Sequence, residues 1–206
     1  MLKTILLASV LALPCYAGKN TALKPILAKA GKTVLEQNFD SAALDKPWTV
    51  AKGDWQIAGG AIVGREKPED KHAAVLSLAL PSKDSIVQFS VKLDGAKGVS
   101  LSFNHAKGHL FRVVINNAGF TINKDGDKKD KSIKAAVLAK AAGKFEPGEW
   151  VTMLVEVKGE KVSVQADNGA KAEGSDPRLA MEKVNYRFVT QGASVQIDDL
   201  KISLAE

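Results

Sequence analysis

The stretch IVQFSVKL at residues 86–93, followed by VSLSFN at residues 99–104, decides the fold class. In residues 87–93 and 99–104 every second residue is apolar and the residues between are polar, which is the period of a strand with one buried face. The apolar set of the first segment is Val87, Phe89, Val91 and Leu93. Such alternation is typical of antiparallel sheets that pack one face on a core and turn the other to water.

Turn signals separate the alternating segments. Gly59-Gly60 lies between residues 55–57 and 62–63, and it predicts a tight hairpin. The same reasoning predicts hairpins at Asn117-Ala118-Gly119 and Lys158-Gly159-Glu160. About ten short strands without helical crossovers predict an all-β fold of two packed antiparallel sheets. The length of the chain and the spacing of the strands favour a jelly-roll sandwich.

Three segments carry further local expectations. The stretch LFRVVI at residues 110–115 is apolar on both faces except for Arg112, which predicts a central strand. The run SIKAAVLAKAA at residues 132–142 fits a helix or a strand, and its composition leaves both open. In the last strand the apolar phase changes after Ile197, so a bulge is expected at Asp198-Asp199.

The first seventeen residues have the pattern of a cleavable signal peptide. Lys3 supplies the positive start, residues 4–13 form an apolar run, and Cys15 and Ala17 are the small residues before the expected cut after Ala17. The apolar run is too short for a bilayer span, which needs about 20 residues. Lipoprotein processing at Cys15 is disfavoured because Pro14 precedes it. We therefore predict an exported protein, periplasmic or extracellular.

The remainder of the chain divides into two parts by composition. Residues 18–33 are rich in lysine and alanine with weak periodicity, and we interpret them as a linker or N-terminal arm. The sandwich domain is predicted to occupy residues 34–206. No stretch after the leader is long and apolar enough to predict a membrane span.

Composition excludes several classes of function. The 206 residues include 29 Lys and Arg, 23 Asp and Glu, and a single cysteine, for a formal net charge of +6. Cleavage after Ala17 removes Lys3 and Cys15, so the charge falls to +5 and no disulfide, thiolate nucleophile or cysteine metal site is expected. The lysines are interleaved with acids and lack aromatic companions, which indicates a solvated surface rather than a nucleic-acid partner. Nothing in the composition indicates an oligomeric state.

Four short motifs together resemble a known fold. They are Asn38-Phe39-Asp40, Gly53-Asp54-Trp55-Gln56-Ile57, Phe145-Glu146-Pro147-Gly148-Glu149-Trp150, and the closing VQIDDLKI at residues 195–202. Between residues 34 and 203 the chain resembles concanavalin-A-like sandwich domains. Its nearest likeness is to the exported bacterial 3-keto-disaccharide hydrolase domains, which are similar in shape to family 16 glycoside hydrolases and laminin-G-like modules. This resemblance implies a jelly-roll fold and a hydrolase of glycosides or 3-keto-glycosides.

The acidic residues do not predict a glycosidase site. Retaining enzymes hold two carboxyls about 5–5.5 Å apart and inverting enzymes hold them roughly 6.5–9.5 Å apart. No acidic pair at i, i+2 lies in a predicted strand, and the Glu-x-Asp-x-x-Glu strand of family 16 is missing. We therefore predict a protein that binds a glycan across a polar sheet face. Hydrolysis and a non-catalytic envelope interaction domain remain alternatives.

Polar residues cluster around one predicted hairpin. If residues 106–108 form its loop, His105 and His109 flank that loop and Arg112 follows on the next strand. Ser102 and Asn104 lie on the polar face of the preceding strand. Hydroxyl, amide, imidazole and guanidinium groups match sugar hydroxyls, and a histidine is also a general base. These five residues are the predicted binding site, with an ordinary exposed hairpin as the alternative.

The tryptophans allow two interpretations. An exposed ring at the end of a strand can stack on a sugar, whereas a buried ring belongs to the core. We predict a core position for Trp55 and Trp150. Trp48 is included among the candidate ligand-binding residues, with its burial left open.

Calcium is the one metal that the sequence suggests. The spacing Asn123-x-Asp125-x-Asp127 begins like a calcium loop, but Lys128 and Lys134 stand where that loop needs glycine and glutamate. Asp125-Gly126 is therefore predicted to form a hairpin turn. The terminal strands of such sandwiches commonly meet, which makes Asp40, Asp198 and Asp199 candidates for a structural calcium site. The alternative is that Asp40 caps a turn and the aspartate pair marks the bulge. No other cofactor is expected.

Overall fold

The computed structural model describes residues 23–41, 43–127 and 129–206, so the predicted leader at residues 1–17 lies outside the described residues. The described chain forms fifteen strands and two short 3-10 helices, at Pro68–Asp70 and Pro177–Ala180. The strands are β1 (Ala30–Gln37), β2 (Trp48–Lys52), β3 (Asp54–Ala58), β4 (Ala61–Arg65), β5 (Ala74–Leu78), β6 (Ser85–Leu93), β7 (Ala96–His105), β8 (Gly108–Asn116), β9 (Gly119–Lys124), β10 (Ala136–Ala142), β11 (Trp150–Lys158), β12 (Lys161–Ala166), β13 (Lys171–Ser175), β14 (Asn185–Gly192) and β15 (Val195–Ala205).

The strands form two antiparallel sheets that pack as a sandwich. One sheet has eight strands in the order β13-β12-β11-β6-β15-β4-β3, with β1 also paired to β15. The other has seven strands in the order β10-β9-β8-β7-β14-β5-β2. The predicted all-β, two-sheet architecture is confirmed. The LFRVVI stretch lies in β8, between β7 and β9, so its predicted central position is confirmed as well.

Aromatic and branched side chains from both inner faces fill the space between the sheets. Phe89 of the eight-stranded sheet meets Phe188 of the seven-stranded sheet edge to face, with ring centroids 5.3 Å apart. Within the seven-stranded sheet, Phe103 stacks on Phe111 at 4.3 Å. All four rings are buried. Because alternate residues of each strand point inward, their neighbours are left to form polar outer faces.

The last strand contains the predicted bulge. Its pairing with β6 shifts register between Asp198 and Lys201, and Asp199 has a left-handed φ of 48°. The extra residue moves the side chains after the bulge back to the inner face. Ile197 before the bulge and Leu200 after it are consequently both buried in the core.

The connection between β9 and β10 differs from the prediction. Asp125-Gly126 does not form a tight hairpin turn, because β9 ends at Lys124 and β10 begins only at Ala136. The Asp127 carboxylate accepts hydrogen bonds from the backbone N–H groups of Lys129 and Asp130, at 2.8 and 3.3 Å. These bonds hold the chain in a longer connection, which residues 125–135 form. An aspartate that binds the N–H groups following it competes with a two-residue turn.

The run at residues 132–142, which fits either a helix or a strand, contains a strand. Ala136–Ala142 forms β10 and pairs antiparallel with β9 at the edge of the seven-stranded sheet. The alanines of this run favour a helix by intrinsic propensity. Pairing with β9 outweighs that preference, since the sheet supplies partners for the backbone groups.

The N-terminal arm is attached to the outer face of the eight-stranded sheet. The backbone N–H groups of Ile26, Leu27 and Ala28 all donate to the buried carboxylate of Glu156, at distances of 2.9–3.1 Å. Gln165 Nε2 donates to the carbonyl of Lys24 at 2.9 Å. The chain then enters β1 at Ala30 and pairs with β15, so regular structure begins four residues before the predicted domain boundary.

The three tryptophans occupy different environments. Trp55 lies in the core, as predicted, and its ring packs against Gly64. Trp150 does not lie in the core, so that prediction is wrong. Val151 takes the inner position, and Trp150 lies on the outer face beside Lys92, whose Nζ is 4.9 Å from the ring centroid. Trp48 is only 7% exposed and packs against Phe39. Its buried ring offers no face for stacking on a sugar, so it does not serve as a binding platform.

Candidate functional site

The hairpin between β7 and β8 carries most of the predicted polar cluster. β7 ends at His105, two turn residues follow, and β8 begins at Gly108. His105, His109 and Arg112 all border one concave pocket of about 350 Å³. The residues that line it are His105, Lys107, Gly108, His109, Arg112, Asp125, Gly126, Asp127 and Lys129. The hairpin is confirmed, and its use as a binding site stays a prediction.

Asn104 positions His109 from beneath the pocket. Asn104 is buried, and its Oδ1 lies 2.7 Å from Nδ1 of His109. An amide oxygen only accepts, so His109 carries a proton on Nδ1 in this arrangement. The other end of the Asn104 amide donates to Oδ1 of Asn185 at 2.8 Å. Asn104 therefore orients an imidazole and does not itself line the pocket.

Arg112 is held by an acid that the sequence did not assign to the site. Its Nε donates to Oδ2 of Asp125 at 3.1 Å, and its Nη2 contacts the other carboxylate oxygen, Oδ1. The backbone carbonyl of Asp125 accepts from Nη1 of Arg178 at 2.7 Å. The two contacts with Asp125 fix the Arg112 guanidinium at the rim of the pocket. In the sequence, Asp125 and Asp127 belong to the spacing that begins like a calcium loop and to a predicted turn, and neither feature assigns them to this pocket.

The charges in the pocket are set by burial and by neighbouring groups. Burial lowers the pKa of His105, and the positive charges of Arg178 and Lys107 lower it further, while Asp127 opposes them. The backbone N–H groups of Lys129 and Asp130 lower the pKa of Asp127. At neutral pH the pocket therefore presents a neutral His105 imidazole beside an ionised Asp127 carboxylate.

A second depression adjoins the pocket on the outer face of the seven-stranded sheet. It has a volume of about 530 Å³ and shares Arg112 and Asp125 with the first. Its other lining residues are Val114, Thr121, Asn123, Lys124, Ala135, Ala136 and Val137. Among the described residues that line the two depressions there is no Phe, Tyr or Trp. The walls are therefore polar and aliphatic, and any ligand must be held by hydrogen bonds and charge rather than by ring stacking.

Ser102 lies on the same outer face, at the centre of the sheet. It pairs with Arg112 of β8 on one side and with Arg187 of β14 on the other. The serine is only 5% exposed, so the long side chains around it limit its access to solvent. Arg187 carries no site role in the sequence prediction, since β14 is far from the hairpin along the chain.

The candidate calcium residues do not gather into a ligand set. Asp40 accepts a hydrogen bond from the Asn38 side chain at 2.5 Å, and Asp199 accepts one from Ser90 Oγ at 3.3 Å. Asp198 Oδ1 accepts from the backbone N–H of Asp199 at 2.8 Å. Across residues 23–41, 43–127 and 129–206, no three His, Cys, Asp or Glu side chains are grouped to hold a metal ion. The three aspartates do not fit a calcium site by themselves, and calcium stays a prediction that needs other ligands.

Comparisons with known proteins identify the fold. No family model matches the sequence, and no curated protein matches it. Among solved structures, carbohydrate binding module CBM66 from Bacillus subtilis has a TM-score of 0.52 at 14% identity, covering 77% of this chain and 92% of the module. SCLam, a non-specific endo-β-1,3(4)-glucanase from family GH16, has a TM-score of 0.62 at 11% identity, covering 89% of this chain and 95% of the enzyme.

A third match has no established function. A Bacillus subtilis protein with a galectin-like fold has a TM-score of 0.64 at 12% identity, covering 87% of this chain and 99% of that protein. The chain has the fold of a concanavalin-A-like jelly roll. At these identities the likeness of the jelly roll to its neighbours shows the fold alone. No helix of the described residues has the length and apolar character needed to cross a membrane.

Proposed function

We propose that this protein is an exported carbohydrate-binding domain that holds a glycan on the outer face of its seven-stranded sheet. The observation that carries the proposal is the pair of adjoining depressions that share Arg112 and Asp125. Together they offer a shallow, open surface rather than a single closed cavity. A surface of that shape suits an extended chain of sugar units better than a small compact ligand.

The chemistry of the surface agrees with a polyhydroxylated ligand. Sugar hydroxyls donate and accept hydrogen bonds, and the pocket offers both kinds of partner. Arg112 supplies N–H donors, whereas the ionised Asp127 carboxylate only accepts. His109 donates its Nδ1 proton to Asn104 and therefore offers the ligand its other ring nitrogen, Nε2, as an acceptor. The solved structures that share this fold include a carbohydrate binding module and a glucanase, which is further support.

Export is part of the same proposal. It rests on the signal-peptide pattern of residues 1–17. A binding domain without an expected membrane span would then act in the periplasm or outside the cell, where polysaccharides and envelope glycans are found.

Binding is favoured over glycoside hydrolysis by the state of the two acids in the pocket. A glycosidase needs one carboxylic acid that keeps its proton until the leaving group takes it. Asp125 is held in an ion pair by Arg112, and backbone N–H groups keep the pKa of Asp127 low. Asp127 is therefore not set up to donate a proton at neutral pH, and the Asp125 carboxylate is engaged by Arg112.

His105 supports a second candidate function. Its lowered pKa leaves the imidazole neutral and able to accept a proton inside the pocket. A hydrolase of glycosides or 3-keto-glycosides that uses His105 as general base is therefore the alternative. Release of reducing sugar by the wild type, lost in His105→Ala at unchanged Tm, would establish the hydrolase and displace the binding proposal.

The binding proposal is tested by replacing His109, with a second histidine as the control. We expect His109→Ala to weaken binding of the best ligand in a polysaccharide panel by about tenfold, because it removes a fixed hydrogen-bonding group from the pocket. His72→Ala is the matched control, since His72 is exposed and its Nδ1 lies beside the Ala73 carbonyl. Affinity electrophoresis followed by calorimetry measures both.

Two results would contradict this proposal. One is the absence of binding to every glycan in the panel. The other is an equal loss of affinity in His109→Ala and His72→Ala, which would mean that the pocket is not where the glycan binds.

A further inference from the structure

A row of polar residues crosses the outer face of the seven-stranded sheet. Strand register places one residue from each of six neighbouring strands directly side by side. The members of the row are Thr49, Ser77, Arg187, Ser102, Arg112 and Asn123. Neighbouring strands lie about 4.8 Å apart, so the row is about 24 Å long. It leads from the edge of the sheet to the depression beside Arg112.

The two arginines of the row differ in their partners. Arg112 is neutralised by Asp125, as described above. The side chain of Arg187 has no hydrogen bond or ion pair with any other residue in the part of the chain that the structure describes. The Nε of Arg187 is buried and lacks an acceptor. The neighbours of Arg187 across the strands are the small residues Ser77 and Ser102.

A buried guanidinium donor without an acceptor is unfavourable, and such groups are rare in folded proteins. The two terminal nitrogens of an arginine form a fork of N–H donors that matches the two oxygens of a carboxylate or a sulfate ester. Ser102 lies between the two guanidiniums and adds a hydroxyl that can donate or accept. The row therefore provides one arginine that is paired with an acid and one that is not, on strands about 9.5 Å apart across two strand spacings.

We infer that the ligand is an anionic glycan whose carboxylate or sulfate group is bound by Arg187. This inference rests on the proposed function and names its substrate class. The neutral part of the glycan contacts Arg112 and the pocket beside His109. The acidic group lies over β14, where the terminal N–H groups of Arg187 bind it. The positive formal charge of the protein assists the approach of a polyanion.

The test compares acidic glycans with their neutral counterparts on the full chain at one ionic strength. The carboxylate arm uses polygalacturonate and polymannuronate against their carboxyl-reduced forms, and the sulfate arm uses dextran sulfate against dextran. The wild type should bind at least one acidic member about tenfold more tightly than its neutral counterpart. A preference for the polyuronates over their reduced forms would identify the bound group as a carboxylate, and a preference for dextran sulfate over dextran would identify it as a sulfate.

Substitutions at Arg187 separate a specific contact from general attraction. Arg187→Gln should abolish the preference while leaving affinity for the neutral glycan unchanged. Arg187→Lys keeps the charge but not the fork, and it should retain only part of the preference. Arg65→Gln is the matched control, because it removes one exposed arginine charge from the other sheet. It should leave the preference intact.

The possible failures are distinguishable. If the wild type binds neutral and acidic glycans equally, the anionic assignment is wrong and the proposed function stands. If the preference falls equally in Arg187→Gln and Arg65→Gln, the attraction is general and Arg187 is not the site. If no glycan of either kind binds, the proposed function fails and this inference fails with it. Unchanged Tm values in the variants exclude unfolding as the cause.

Discussion

The free energy of unfolding is expected to rise by about 3 kcal/mol between pH 8 and pH 10.5, and Lys183 is the reason. This lysine is fully buried, and burial lowers its pKa from 10.5 to about 8. Asp84 opposes the change and Lys83 adds to it. Each displaced pKa unit corresponds to about 1.4 kcal/mol. In this pH window the unfolded chain keeps the lysine proton that the folded protein has lost, so raising the pH favours the folded state.

The setting of Lys183 explains why a lysine is tolerated there. Its Nζ donates to the backbone carbonyls of Leu179 and Lys83, each at 2.5 Å. Its backbone N–H donates to the Ser82 carbonyl at 2.7 Å, which joins the segment after β5 to the segment before β14. The side chain thus satisfies two carbonyls at the end of the sandwich, at the cost of burying an amine.

Urea denaturation at fixed ionic strength across pH 7 to 10.5 measures the effect, with Lys183→Met as the control variant. Methionine fills similar volume and has no proton to lose. The unfolding free energy of the wild type minus that of Lys183→Met should therefore increase by about 3 kcal/mol as the pH rises across this range. Ionisation of Tyr186, whose pKa is raised by burial, affects both proteins and cancels. A constant difference would show that Lys183 does not titrate in this window.

Loss of the Glu156 carboxylate should release the N-terminal arm and lower the free energy of unfolding by about 3 kcal/mol. Three consecutive backbone N–H groups, from Ile26 to Ala28, donate to this one buried carboxylate. Hydrogen bonds to a charged acceptor contribute about 1.5–3 kcal/mol each. Glu156→Ala removes the acceptor for all three, and part of the loss is regained when the freed arm is hydrated.

Two measurements test the role of Glu156. Urea denaturation gives the stability, and limited trypsin digestion after Lys29 reports on whether the arm is attached. Glu156→Gln should fall between wild type and alanine, since its amide keeps one acceptor oxygen. Glu160→Ala is the matched control, because Glu160 is exposed on the turn of the β11–β12 hairpin. Equal trypsin sensitivity of wild type and Glu156→Ala would show that the carboxylate does not hold the arm.

Local sequence was sufficient for most of the fold. The alternation in residues 86–93 and 99–104 predicted which residues of β6 and β7 face the core, because successive side chains of a strand point to opposite faces. Glycine and asparagine turns located three hairpins, and the change of apolar phase located the bulge in β15. Each of these features depends on neighbours within a few residues.

The tryptophans that were misjudged or left open depend on contacts outside their own strands. Whether Trp150 or Val151 faces inward depends on which residue of β11 lies opposite Val91 of β6, and a shift of one residue exchanges the two faces. The burial of Trp48 depends on its contact with Phe39, which lies nine residues earlier in the connection between β1 and β2. The alanine run at β10 became a strand only because β9 was available to pair with it.

The sequence by itself determined an all-β sandwich and the polar hairpin with His105, His109 and Arg112, because both follow from residues adjacent along the chain. Only the tertiary structure decided what surrounds that hairpin. Asp125 comes from the next connection, Arg178 from a 3-10 helix, and Arg187 from β14, more than seventy residues after Arg112. Strand order in the sheet brings these groups together, and that order is set by packing and pairing over long distances in sequence rather than by any local pattern.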